Sequence, residues 1–114
     1  MAWTSFVIQN YEANLVAHNT PGYPGIYGYI RLYWQNARRA TLWFYRDSVS
    51  SIADNASFES GGVTNYYGRF GQAQFHDSVD FLRNEKPVSF WWNDESKGVF
   101  LSTGQEPVGE AELP

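Results

Sequence analysis

The chain has 114 residues, no cysteine, 18% aromatic residues and a formal net charge of −4 at pH 7. This length suits one compact domain, and the lack of cysteine excludes disulfides and zinc sites built on thiolates. The negative charge argues against bulk binding to nucleic acid or to anionic membranes. The apolar runs are also far shorter than the roughly 20 residues of a membrane-spanning helix. Because the N-terminus lacks the pattern of a signal peptide, we expect a cytoplasmic protein.

The first half of the chain predicts strands joined by turns. Residues 3–8 have strand composition, and residues 15–17 continue that strand or form a second, shorter one. A loop rich in proline and glycine follows over residues 19–25. Residues 26–35 alternate between apolar and amphipathic side chains, which is typical of a strand with one buried side. A turn and a return strand over residues 40–46 complete a predicted hairpin.

Residues 47–62 are polar and show little pattern, so they predict a long loop. Loops of this length in compact domains are often lids or binding loops, and this one can also conceal a short strand or helical turn. Strand character returns over residues 63–70.

One helix is predicted, over residues 72–84. Phe75, Val79 and Leu82 are spaced i, i+4, i+7 and form an apolar stripe, while Asp77 and Arg83 at the two ends suit the helix dipole.

The rest of the chain predicts a second hairpin and a tail. Pro87 ends the helix, and residues 88–92 and 99–103 form the hairpin. Residues 1–104 are expected to form a single domain, and residues 105–114 an acidic, flexible tail. The element order predicts an α+β fold that is mostly β. We expect a curved antiparallel sheet, or a partly open small β-barrel, of five to seven strands with the helix packed on it.

The candidate site is a row of aromatic and arginine side chains on the strand at residues 26–35. A period of two residues places the row on one side of the sheet, and the returning strand extends it. Rings interleaved with arginine can stack a flat ligand, pair with an acidic group or seat a protein. The competing interpretation is that both sides of this strand are covered, and tyrosine tolerates such half-buried positions. The residues are Tyr27, Tyr29, Arg31, Tyr33, Trp43 and Tyr45.

Other chemistries have weaker support. Arg38 and Arg39 at the hairpin tip can bind a phosphate or a carboxylate but are more often solvated in such turns. His76 and Asp80 share a helical face that suits two metal ligands, yet that face is the polar side of an amphipathic helix. No phosphate-binding loop or nucleophile elbow is present, and no catalytic set, metal site or cofactor is predicted.

We therefore expect a non-enzymatic binding or interaction domain. The aromatic row engages a protein partner or a small ligand, and a second copy of the chain in a homodimer is a partner of the same kind. One alternative is a barrel that binds single-stranded nucleic acid through the same rings with Arg31, Arg38 and Arg46. A further alternative is a small enzyme in which residues 47–62 form a lid.

Overall fold

The computed structural model describes residues 2–104, which form eight strands and one helix. The predicted tail at residues 105–114 lies outside the described residues. The strands are β1 (Trp3–Val7), β2 (Asn10–Leu15), β3 (Ile26–Trp34), β4 (Ala37–Tyr45), β5 (Ala56–Ser60), β6 (Val63–Gly71), β7 (Ser89–Asn93) and β8 (Val99–Ser102), and the helix α1 (Phe75–Asn84) follows a 3-10 turn at Gln72–Gln74.

The strands form two sheets. The larger sheet has the order β2-β3-β4-β6-β5, and the smaller has the order β1-β7-β8. All neighbours are antiparallel except β4 and β6, which run parallel. The predicted fold class, a mostly β fold with a curved sheet and one helix, is confirmed. Within residues 2–104 the strands number eight rather than five to seven, and they do not close into a barrel.

The chain passes from the small sheet to the large one over two residues. The N–H of Ile8 donates to the carbonyl of Val88 (2.8 Å), and the N–H of Gln9 donates to the carbonyl of Tyr33 (2.9 Å). The hydrogen bonding of the first strand therefore switches between sheets at this point. The two sheets consequently stay close along one side and enclose a single core.

That core is built from the inner sides of both sheets and from α1. The alternation predicted for β3 is confirmed at Ile30 and Leu32, which are fully buried. Burial of so many apolar side chains is the main favourable contribution to folding. The core residues are Phe6, Ile30, Leu32, Ala40, Leu42, Phe44, Phe75, Leu82, Val88, Phe90 and Trp92.

The helix matches the sequence expectation. Its apolar stripe packs on the core, with Phe75 and Leu82 buried, and Asp77 and Arg83 lie in its first and last turns. No helix in residues 2–104 is long and apolar enough to cross a membrane.

The segment over residues 47–62 conceals a strand. Its second half is β5, which pairs with β6 through a turn at Gly61 and Gly62. Both glycines have positive φ, a conformation that other residues adopt with strain. The long loop is therefore shorter than expected and ends at Asn55.

Candidate functional site

The predicted aromatic row is divided by a β-bulge near the start of β3. Ile26 pairs with Tyr45, but the next residue of β3 to pair is Gly28, so Tyr27 is an extra residue on this strand. A bulge of this kind resets the alternation of side chains. As a result Tyr27 packs edge-on against Phe75 of α1, with 5.6 Å between the ring centroids. The prediction that Tyr27 shares a side with the other members of the row is therefore wrong.

The other five members of the row remain on the outer side of the large sheet, and Tyr29 lies at the centre of a cluster there. Its ring lies parallel to that of Tyr23, with a centroid distance of 5.5 Å and an interplanar angle of 3°. Trp43, directly opposite on β4, is 5.2 Å from Tyr29. The guanidinium of Arg31 lies 5.1 Å from the Tyr29 centroid, within reach of a cation–π interaction. Tyr29 thus has aromatic or cationic neighbours on three sides.

The pKa of the Tyr29 phenol is raised above its usual value. The main cause is a hydrogen bond with the side chain of Tyr23, and burial of the phenol adds to it. Arg31 acts in the opposite direction because a nearby cation favours the phenolate.

The rings continue across the neighbouring strands. Tyr67 on β6 meets Trp43 edge to face at 5.7 Å, and Phe58 on β5 meets Tyr67 in the same way at 4.8 Å. The guanidinium of Arg69 lies 5.5 Å from the Tyr67 centroid and donates from Nε to the Tyr45 hydroxyl at 3.2 Å. The row predicted on the β3–β4 hairpin therefore extends into a continuous layer across four strands, β3, β4, β6 and β5.

We call this layer the aromatic–arginine face. A shallow cavity of about 400 Å³ is lined by Tyr33, Phe58 and the exposed Arg38, so Arg38 lies on the same side of the sheet. The face consists of Tyr23, Tyr29, Arg31, Tyr33, Arg38, Trp43, Tyr45, Phe58, Tyr67 and Arg69. Sequence reasoning missed Phe58, Tyr67 and Arg69 as members because β5 and β6 join this face only through the long-range pairing of β4 with β6. It also missed Tyr23, which lies in the loop before β3.

The face is locally positive, although the whole chain is acidic. Arg31 pairs with Glu12 across β2 and β3 at 3.6 Å, and Glu12 also accepts a hydrogen bond from the Tyr33 hydroxyl at 3.0 Å. Within residues 2–104, Arg38 and Arg69 have no carboxylate within ion-pair distance. Unlike Arg31, Arg38 and Arg69 therefore carry positive charge that no carboxylate of the described residues neutralises.

The rings of this face are half-buried by one another. Phe58 is the most open, with 42% of its surface exposed, whereas Thr41 beneath the layer is only 2% exposed. Neither α1 nor the small sheet packs on the layer, because both contribute to the core on the opposite side. The side chains are therefore ordered before any partner arrives and keep their outer edges in solvent.

Two other predicted arginines lie elsewhere. Arg46 stacks 5.8 Å from Tyr27 and donates to the carbonyl of Val16, and Arg39 stacks 4.9 Å from Trp34. The nucleic-acid alternative requires Arg46 to lie beside Arg31 and Arg38. The structure does not place it there.

The residues predicted as a weak metal site do not form one. His76 on α1 lies beside Tyr27 of β3, and no group of three potential metal ligands is found among residues 2–104. The loop before β5 is attached at Asp47, whose N–H donates to the Gln72 side chain at 2.9 Å. At its other end, Asn55 contacts both β6 and the turn before β8.

A second aromatic cluster lies on the outer side of the small sheet. Trp91 stacks on Phe100 at 5.7 Å, and Trp3 meets Phe100 edge to face at 5.3 Å. Trp3, Val7 and Phe100 are 46%, 47% and 44% exposed. Sequence reasoning missed this cluster because β7 is apolar on both sides and only the structure shows which side is covered.

No protein family, curated protein or solved structure compared with this chain matches it. Its function is therefore to be inferred from its own surfaces.

Proposed function

We propose that this chain is a non-enzymatic binding domain that holds a partner protein on the aromatic–arginine face. The observation that supports this proposal is the layer of rings that runs from Tyr29 through Trp43 and Tyr67 to Phe58, with arginine guanidinium groups against two of the rings. Tyr, Trp and Arg are the residues that contribute most of the binding energy in protein interfaces.

The charge of the face selects the chemistry of the partner. Arg38 has no ion pair with residues 2–104, and a planar guanidinium binds carboxylates through two parallel hydrogen bonds. Arg69 also lacks an ion pair there, but its guanidinium already donates to the Tyr45 hydroxyl and the Asp54 carbonyl. The aromatic edges between the arginines favour apolar side chains. The partner is thus a protein segment in which Asp or Glu alternates with apolar residues.

The rigidity of the face favours binding as well. Except for Tyr23, which lies in the loop before β3, its side chains stand on β3, β4 and β6, which have a neighbour on each side, and on the edge strand β5. Rings that already pack on one another lose little conformational freedom when a partner binds. A preordered surface of this kind suits a partner that adapts its own conformation.

A peptide-binding measurement tests the proposal. Fluorescence anisotropy would compare labelled peptides rich in Glu and Leu with peptides in which Lys replaces Glu. We expect Arg38→Glu to weaken binding of the acidic peptide about fivefold or more, because it reverses a charge on the face. Arg83→Glu on α1 is the matched control, since it makes the same charge change at an exposed ion pair with Asp80.

The double variant Tyr29→Ala with Tyr33→Ala removes two rings from the same face. We expect it to remain folded and to lose the acidic peptide. Equal binding of the acidic and basic peptides, or full binding by this variant, would contradict the proposal.

Binding of single-stranded nucleic acid is the second candidate function, because bases stack on aromatic rings beside arginine. It predicts that a short mixed oligonucleotide binds at low salt and dissociates steeply as salt rises. Oligonucleotide binding without peptide binding would favour this second candidate over the first.

A further inference from the structure

We infer that two copies of this chain associate through the outer side of the small sheet, which we call the tryptophan face. Apart from Asn93, which pairs with Trp3 but is buried, its outward positions on the three strands are Trp3, Ser5, Val7, Ser89, Trp91, Phe100 and Ser102. This surface is separate from the aromatic–arginine face of the proposed function, and the two proposals can fail independently.

The tryptophan face is the most exposed aromatic surface on the described part of the chain. Nearly half of the surface of Trp3 and of Phe100 is in contact with solvent, whereas the rings of the large sheet are mostly half-buried. The stacked rings of Trp91 and Phe100 differ by only 13° in orientation and present a nearly flat surface between neighbouring strands. Contiguous exposed apolar surface of this kind marks interaction sites.

The charge pattern of this face favours a second copy as the occupant. None of the seven outward positions carries a charged side chain, although the chain as a whole has a net charge of −4. Two identical faces can therefore meet without bringing like charges together. The aromatic–arginine face would instead oppose Arg31, Arg38 and Arg69 to the same residues of another copy, which disfavours self-association there.

A twofold arrangement suits the geometry. In a symmetric pair the same patch serves both copies, so the exposed ring of Phe100 in one copy contacts the rings of the other. Two sheets stacked face to face lie about 10 Å apart, a spacing that aromatic side chains from both sides fill.

The available area predicts a weak dimer. The exposed parts of the three rings and Val7 amount to on the order of 400 Å² per copy, given the size of aromatic side chains. A standard stable interface buries about 800 Å² on each side. We therefore expect an equilibrium between monomer and dimer that depends on protein concentration, and not a permanent assembly.

Sedimentation velocity over a concentration series tests this inference on the full chain. We expect the weight-average mass to rise from 13.1 kDa toward twice that value as concentration increases. Phe100→Glu should remain monomeric throughout, because it places a carboxylate within the aromatic contact. Leu15→Glu is the matched control: Leu15 is 67% exposed on β2, and this variant should associate like the wild type.

Near-ultraviolet circular dichroism verifies the fold of each protein. A second variant keeps the inference testable if Phe100→Glu does not fold. Trp3→Ser removes an exposed ring at the edge strand β1 and should also reduce association. Arg38→Glu, the variant that tests the proposed function, should still associate. A wild-type chain that stays monomeric, or folded Phe100→Glu that associates as strongly as the wild type, would overturn the inference.

Discussion

The side-chain oxygen of Asn55 accepts a hydrogen bond of 2.7 Å from the backbone N–H of Arg69. The amide nitrogen of Asn55 donates to the carbonyl of Lys97 at 2.9 Å. Arg69 lies beyond the part of β6 that pairs with β5, and Lys97 lies just before β8. One amide side chain therefore joins the large sheet to the small one where no backbone pairing connects them.

Replacing this amide should destabilise the fold. We expect Asn55→Ala to lower the free energy of unfolding by about 1–3 kcal/mol, because two backbone groups lose their partner. Urea denaturation followed by fluorescence measures the change. Ser57→Ala, at an exposed position two residues later, is the control and should unfold like the wild type.

The raised pKa of Tyr29 predicts a loss of stability at alkaline pH. Because the folded chain holds this proton more tightly than the unfolded chain, the stability it contributes is complete below the unfolded pKa, near 10. That stability disappears as pH rises through the folded pKa. The unfolding free energy of Tyr29→Phe should therefore fall less steeply above about pH 10 than that of the wild type.

The hydrogen-bond partner provides a check on this explanation. Tyr23→Phe removes the main cause of the shift, so its alkaline loss should also be shallower than in the wild type. Equal slopes for the wild type and both variants would show that the stacked tyrosines do not produce the effect.

Gly28 is fixed by close packing. A Cβ at this position would lie 2.7 Å from the carbonyl oxygen of Asn14 and 2.8 Å from the ring of Phe75. We expect Gly28→Ala to destabilise the fold by about 1–3 kcal/mol, since a backbone atom is among the neighbours that must shift. Gly71→Ala, where a Cβ meets nothing within 4 Å, should leave the urea midpoint unchanged or slightly raised.

Two phenylalanines on opposite sides of the paired strands β7 and β8 should differ widely in their effect on stability. Phe90 is fully buried, and Phe90→Ala should cost about 3–5 kcal/mol because it leaves a cavity in the core. Phe100 is 44% exposed, and Phe100→Ala should change stability by about 1 kcal/mol or less in the monomer. Similar urea midpoints for the two variants would contradict the assignment of inner and outer sides.

The features that could be predicted from sequence are those with a local pattern. The alternation at Ile30 and Leu32 marks β3, and the spacing of Phe75, Val79 and Leu82 marks α1. Both patterns arise because one side of an element is buried, so a few neighbouring residues contain the signal.

The features that could not be predicted depend on distant partners. Tyr27 changes sides because of a bulge, which is defined by pairing between β3 and β4 and not by the residue types. β5 has no apolar alternation, since Ala56 and Ser60 flank a segment with one large apolar residue, Phe58. The exposure of Trp3 and Phe100 follows from the pairing of β1 with β7 and of β7 with β8, which no local pattern reveals.

The pairing of β1 with β7 has a consequence for synthesis on the ribosome. Phe6 stacks on Phe90 at 5.2 Å, and the whole of β1 pairs with residues 89–93. β1 therefore has no hydrogen-bonding partner in its own sheet until β7 has been translated. Pairing across such a separation is slow to form, and the nascent chain carries Trp3 and Phe6 unpaired throughout. The core therefore cannot be completed before β7 has been synthesised, and until then the apolar side chains of β1 stay available for non-native contacts.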